Sequence, residues 1–218
     1  MNKHLLKIAL PAVALVLAGS AYAVPTLTVS DNNGHTTGAI TSGTGIVAFN
    51  GALGDWDINI LSAITFPAVG SATKPKMDVS GQDQYAGVGG LGSVLTITFS
   101  GDGFSPIANS ILAQLSANAV DGSGSVKYTV SASGVGTVAT IGPVNTPPAF
   151  GASQGGAITA GFTGTITETI VLSANPGYFA SFDAGLKTVP DSGTTLILLG
   201  SSLTLLGFFA RSRKQAAA

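Results

Sequence analysis

Between its two ends, the sequence predicts an all-β fold, an antiparallel β-sandwich. Three observations predict it. Apolar and β-branched residues alternate with Ser, Thr and other polar residues in many short windows, the period of a strand with one face buried. Glycine makes up 30 of the 218 residues and gathers, with Asn, Asp and Pro, between those windows. The spacing of three and four that an amphipathic helix needs is scarce. Eight to ten short strands separated by turn chemistry therefore form the expected core.

The first 23 residues have the layout of a secretory signal peptide. Lys3 and Lys7 supply positive charge, Ile8 to Ala18 an apolar run, and Ala21-Tyr22-Ala23 a small-x-small cleavage site leaving Val24 first. Residues 24–188 then form the sandwich domain, long enough to bury a core.

Within that domain the strand windows come in order. Leu27-Thr28-Val29-Ser30 and Gly45 to Phe49 alternate, and Trp56, Ile58 and Ile60 share one face with Asp57 and Asn59 on the other. Leu95, Ile97 and Phe99 point one way, and Val126, Tyr128 and Val130 alternate with Lys127, Thr129 and Ser131. Thr165 to Leu172 and Tyr178 to Leu186 complete the set. The separators are Asn32-Asn33-Gly34, Gly101-Asp102-Gly103, Asp121-Gly122-Ser123-Gly124 and Asn175-Pro176-Gly177. Pro106 to Ser116 reads as strand or short helix. Pro143 to Gly156, with three prolines and a glycine pair, reads as a long surface loop.

Charge and composition exclude several functions. From Asp31 to Asp191 ten acids face four lysines (Lys74, Lys76, Lys127 and Lys187), a balance of −6. That sign argues against nucleic acid or anionic lipid as partner. With no cysteine there is no disulfide, thiol nucleophile or thiolate metal site.

Catalytic constellations are missing from the sequence. Past His4 the one histidine is His35, in a turn and expected to be solvated. No serine sits in a G-x-S-x-G elbow, and Ser123 and Ser125 have no identifiable base. Asp55 and Asp57 flank Trp56, but the strand period sets both acids opposite the indole, so a core Trp with two solvated acids is expected. Glu168, the sole glutamate, is expected to face solvent from a Thr-rich strand. Calcium is the candidate metal, through the oxygen-rich turns at Asp31, Asp102 and Asp121, although none has the ligand density of an EF-hand. Trp56, Tyr85, Tyr178 and Phe179 could stack on sugars of an extracellular polysaccharide if two of them share an exposed surface.

Residues 189–218 end the chain in three parts. Val189, Pro190, Asp191, Ser192 and Gly193 come first. Thr194 to Ala210, 17 residues without a charge, follow. As a helix they would span about 26 Å, the short end of what a bilayer core requires. Arg211, Arg213 and Lys214 then form a basic stop, which keeps this end in the cytoplasm. Pro190 biases Val189 to an extended backbone, open to an enzyme cleft. The plainer alternative is a simple membrane anchor.

This tail resembles the PEP-CTERM sorting signals in their VPDSG-CTERM variant. The resemblance implies processing by an exosortase, a membrane transpeptidase-like enzyme, in a cell that makes exopolysaccharide. It implies Sec export, an inner-membrane precursor and then a surface or biofilm-matrix protein with no enzymatic activity. The segments GDWDINI, KPKMDVSGQ, GSVLTITFSGDGF and SFDAGLKTVPD, in that order, resemble a recurrent ectodomain of the same proteins.

Overall fold

Alternation within each strand builds two sheets that face one another. The structure, a computed structural model, describes residues 24–87, 93–106, 110–146, 149–159 and 161–189. Twelve strands run along them: β1 (Thr26–Asp31), β2 (Ile40–Thr41), β3 (Ile46–Leu53), β4 (Trp56–Ile64), β5 (Lys76–Tyr85), β6 (Ser93–Phe104), β7 (Ser110–Asp121), β8 (Gly124–Ala132), β9 (Gly136–Thr146), β10 (Phe150–Ala157), β11 (Gly164–Ala174) and β12 (Phe179–Val189). One six-stranded sheet has the order β2-β1-β6-β11-β8-β9, the other β10-β7-β12-β5-β4-β3, and every pairing is antiparallel.

The core lies between the sheets. Leu27 and Val29, then Leu95, Ile97 and Phe99, then Val126, Tyr128 and Val130 are buried from the first sheet. Met77, Val79, Ile111, Leu115, Ala184 and Leu186 are buried from the second. The predicted sandwich and most of its alternating windows are therefore present.

Three expectations need correction. Twelve strands replace the eight to ten. The alternation through Trp56 and Ile58 changes phase after Ile58, because β4 carries one extra residue there relative to each neighbour: Asn59 against β5, and Asn59 and Ile60 against the single Asn50 of β3. Leu61 and Ala63 then take over the inward positions. Of the two readings of Pro106 to Ser116, strand holds from Ser110 onward and needs no correction. Pro143 to Gly156 is mostly strand: β9 runs through Pro143, and Phe150 to Ala157 pairs residue by residue with β7. Pro143 is tolerated because β9 is an edge strand with two residues, Gly142 and Pro143, set against Lys127 at a bulge. Phe150 to Ala157 lacks β-branched residues, so only its backbone ladder makes it a strand.

Gly101-Asp102-Gly103 is likewise no free turn but the far end of β6, where the ladder to β11 slips between Gly164 and Ile166. The turns at Asn32-Asn33-Gly34, Gly122-Ser123 and Asn175-Pro176-Gly177 are as expected. No described helix is long and apolar enough to cross a membrane. The signal peptide, with Ala21 and Ala23, and the expected helix after Gly193 lie outside the described residues.

Two glycines separate backbone strain from crowding. Gly34 and Gly45 both have positive φ, 91° and 84°. A Cβ on Gly34 would meet nothing, whereas one on Gly45 would lie 2.5 Å from the Thr65 carbonyl oxygen and 2.8 Å from the Ala68 nitrogen. Gly34→Ala should cost about 1 kcal/mol and Gly45→Ala about 3 kcal/mol or more, read from urea midpoints. Equal costs would contradict the packing of residues 65–68 onto β3.

Candidate functional site

The inner faces are occupied by the core, so any ligand must meet an outer face or an end of the sandwich. On the outer face of the second sheet, Asp78 and Gln82 from β5, Ser181 and Asp183 from β12, and Gln114 and Asn118 from β7 point away from the core. They line two adjoining hollows of about 440 Å³ each, which share Ser116 and Asp183. Small residues form the floor: Ser80, Ser116, Gly151 and Gly185 leave space that larger side chains would fill. A Cβ on Gly185 would sit 3.0 Å from the Met77 carbonyl oxygen, so this glycine lets β12 lie close to β5 at the floor of the groove. Phe150 of β10 stands at one rim, half-buried.

The groove is acidic. Burial raises the Asp78 carboxyl above its usual value, and the Asp183 charge and a hydrogen bond with Asp183 raise it further, against the opposing pull of Lys76. A groove that discourages a second negative charge suits a neutral, hydroxyl-rich ligand better than an anion. A third hollow, about 490 Å³, lies at the end of the sandwich that holds Trp56, among Ser93, Ser123, Asn145 and Asn175.

The aromatic residues expected to stack on sugars do not form a surface. Trp56, Tyr85 and Tyr178 are buried, and Phe179 is half-buried. The Trp56 and Tyr85 rings pack tilted, with centroids 5.3 Å apart. Trp56 Nε1–H donates to Ser93 Oγ at 2.9 Å, and Ser93 Oγ donates to Asn32 Oδ1 at 3.1 Å. The indole therefore closes the core, with Asp55 and Asp57 exposed, as the strand period predicts.

The turn residues are explained locally. Asp31 Oδ1 accepts the N–H groups of Asn33 (2.9 Å) and His35 (2.8 Å), and Asp31 Oδ2 lies 2.7 Å from His35 Nδ1. Burial works to raise Asp31, but these bonds outweigh it and leave its pKa below the ordinary carboxylate value. The His35 side chain is 54% exposed. Asp102 Oδ1 accepts the Val24 N–H at 2.9 Å, at the opposite end of the sandwich from Asp31. Among the described residues, no three His, Asp or Glu side chains converge as a metal site.

Two acids lie where the sequence reading did not put them. Glu168, expected at the surface, is 0% exposed, and so is Asp83. Both occupy inward positions of their strands, Glu168 in phase with Ile166 and Ile170, Asp83 in phase with Val79 and Tyr85. That parity was the available signal. Tyr128 O–H donates to Glu168 Oε1; among the described residues, Glu168 Oε2 and both Asp83 oxygens have no hydrogen-bond partner. Burial pushes Glu168 up to about 8, with Tyr128 opposing and the charges of Asp78 and Asp183 adding, and pushes Asp83 up to about 7. Burial, then the Glu168 charge, raises the Tyr128 phenol. Below about pH 7 these acids are neutral core residues, buried away from the surface.

Their titration makes the fold pH-sensitive. The folded values of Glu168 and Asp83 lie above the ordinary 4.5 and 3.8. Their contribution is therefore fully present below about pH 4 and lost as pH rises through 7 and 8. Asp31 acts oppositely, losing its contribution as pH falls through its lowered value, below that window. Tm should fall by roughly 5 °C or more between pH 5 and pH 8.5. Glu168→Gln or Asp83→Asn should flatten the profile. A Tm that rises toward pH 8.5 would contradict the burial of both acids.

Comparison with known proteins bears on the two parts differently. Structurally, the chain is similar to TmCBM61 in complex with beta-1,4-galactotriose, at 10% identity and TM-score 0.34, over 75% of this chain and 88% of that one. It is similar to the N-terminal cellulose-binding domain of Cellulomonas fimi beta-1,4-glucanase C, at 11% identity and TM-score 0.32, over 67% and 90%. It is similar to the infectious bursal disease virus VP2 subviral particle, at 14% identity and TM-score 0.33, over 78% and 53%. Likenesses this distant carry no statement about ligand. No curated protein matches the chain. Residues 188–214 match the VPDSG-CTERM motif, so the tail read as Val189 to Gly193, an apolar run and Arg211, Arg213 and Lys214 is a C-terminal sorting signal of the exosortase type.

Proposed function

We propose that this chain is an exported, non-enzymatic protein of the cell surface or extracellular matrix, processed at its C-terminal signal by an exosortase-type membrane enzyme. The motif match over residues 188–214 carries this reading. The surrounding geometry supports it. Val189, the first residue of the motif, is also the last residue of β12, where it pairs with Ser110 and its carbonyl accepts the Ser110 hydroxyl at 3.2 Å. The signal thus follows the sandwich without a spacer, and a processing enzyme meets it where the ladder ends. At the other terminus, removal of residues 1–23 would turn the Val24 N–H bond to Asp102 into an ion pair of an α-ammonium with a carboxylate. In this reading the precursor enters by the Sec route and sits in the inner membrane with Arg211, Arg213 and Lys214 in the cytoplasm.

Replacing Pro190 and Asp191 with alanine, or deleting the exosortase, should leave a full-length form in the inner membrane. Mass spectrometry of the mature C-terminus after fractionation reads the result. Unchanged size and secretion would refute the reading.

The groove on the second sheet favours a second reading, a binding module for neutral exopolysaccharide. The amides of Gln82, Gln114 and Asn118, the Ser181 hydroxyl and the carboxyls of Asp78 and Asp183 could satisfy sugar hydroxyls. Without an exposed aromatic platform among the described residues, the affinity should be weak, with Kd of about 1 mM per site. Titration calorimetry with the producer's purified polysaccharide should show such binding, and Gln82→Ala with Gln114→Ala should weaken it at least fivefold. Binding that survives both substitutions would place the sugar elsewhere.

A further inference from the structure

Each sheet of the sandwich ends in strands whose outer N–H and C=O groups need an occupant or protection. Three of the four edges have it. β2 is two residues long. β9 and β10 close one side of the sandwich on each other: the Thr140 N–H donates to Gln154 Oε1 at 3.0 Å, and Gly156 packs against the Val138 carbonyl. The fourth edge, β3, is eight residues long and pairs only with β4 among the described residues.

None of the usual protective devices is found in β3. Its sequence, IVAFNGAL, has no charge and no proline. The extra residue that distorts the β3–β4 ladder, opposite Asn50, belongs to β4, so Ile46 to Phe49 stays regular. Ile46, Ala48, Asn50 and Ala52 are exposed, Ile46 at 48%. In a domain where acids outnumber lysines by nine to four, an uncharged, unoccupied edge lets two copies meet without opposing like charges.

We propose that β3 is a self-association edge, and that a second copy of this chain pairs with it antiparallel about a two-fold axis through Ala48. The direction follows from the charges at its two ends. Asp55 and Asp57 lie exposed just past Leu53, while Lys74 and Lys76 lie exposed at the end where β3 begins. Parallel pairing would set the two Asp55 turns side by side; antiparallel pairing sets the acidic end of one copy toward the basic end of the other. Ala48 at the centre is small enough for the two backbones to approach at strand spacing. The interface is isologous and closes at two copies, joining two six-stranded sheets into one of twelve. The two-fold also separates the Val189 ends. Each β12 ends beside Lys76, so the two exit points lie at opposite ends of the dimer.

The absence of cysteine makes the test clean. Single cysteines at Ile46, Ala48, Asn50 and, as a control on the β8–β9 turn, Val135 are introduced into the exported protein purified from its producer. Ala48→Cys should give a disulfide-linked dimer fastest, Ile46→Cys and Asn50→Cys at least tenfold more slowly, and Val135→Cys none. In the cysteine-free protein, sedimentation should show a dimer that Ala48→Lys weakens at least tenfold with Tm unchanged. A monomer at all concentrations, a dimer indifferent to Ala48→Lys, or equal cross-linking at all four positions would overturn the proposal. Because every measurement is made in solution on purified protein, it stands or fails apart from how residues 189–193 are processed.

Discussion

The pleat of the strand is the constraint on which this molecule depends. Successive side chains point to opposite faces, so a strand in a two-layer sandwich gives every second residue to a dry interior. An inward position demands an apolar group, or a polar group that has lost its charge. Leu95, Ile97 and Phe99 meet the first condition, and Glu168 and Asp83 meet the second. Tyr128 supplies Glu168 with one hydrogen bond, which eases but does not cancel the cost of removing a carboxyl from water.

With both inner faces committed to the core, the surface left for recognition is limited. It consists of the outer sheet faces, the ends and the edges. On the first of these the small residues of β5, β7, β10 and β12 produce a groove, because wherever Gly or Ser replaces a larger outward side chain the sheet floor is exposed. On the last, β3 presents a neutral strand edge. The groove and the edge belong to the same sheet, with β4 lying between them. A ligand in the groove and a second copy on β3 would therefore occupy neighbouring but separate territory.

Much of this was legible from the residues, and the misses share a cause. Trp56 was placed in the core and Asp55 and Asp57 in solvent by period alone, and the structure agrees. The same period, applied to Ile166, Ile170 and Leu172, also points Glu168 inward. There chemical type points outward and parity inward, and parity is the stronger signal, because the backbone ladder leaves a side chain no choice of face. Asp83, between Val79 and Tyr85, follows the same rule. The stretch from Pro143 to Gly156 failed in the opposite way. Its composition indicates a loop, and only the ladder that β7 offers to Phe150–Ala157 makes it a strand.

By itself the sequence determined the fold class, the position of most strands and the identity of the tail, because alternation, turn residues and the VPDSG pattern are local and need no partner to be read. Tertiary structure alone decided which sheet each strand joins, where β4 slips its register, how the outward residues of β5, β7 and β12 gather into one groove, and that β3 is left as an edge. Those outcomes depend on pairings between residues far apart in the chain, such as Asp183 with Ser80 and Ser116, and no local periodicity encodes which distant strand will supply the hydrogen bonds.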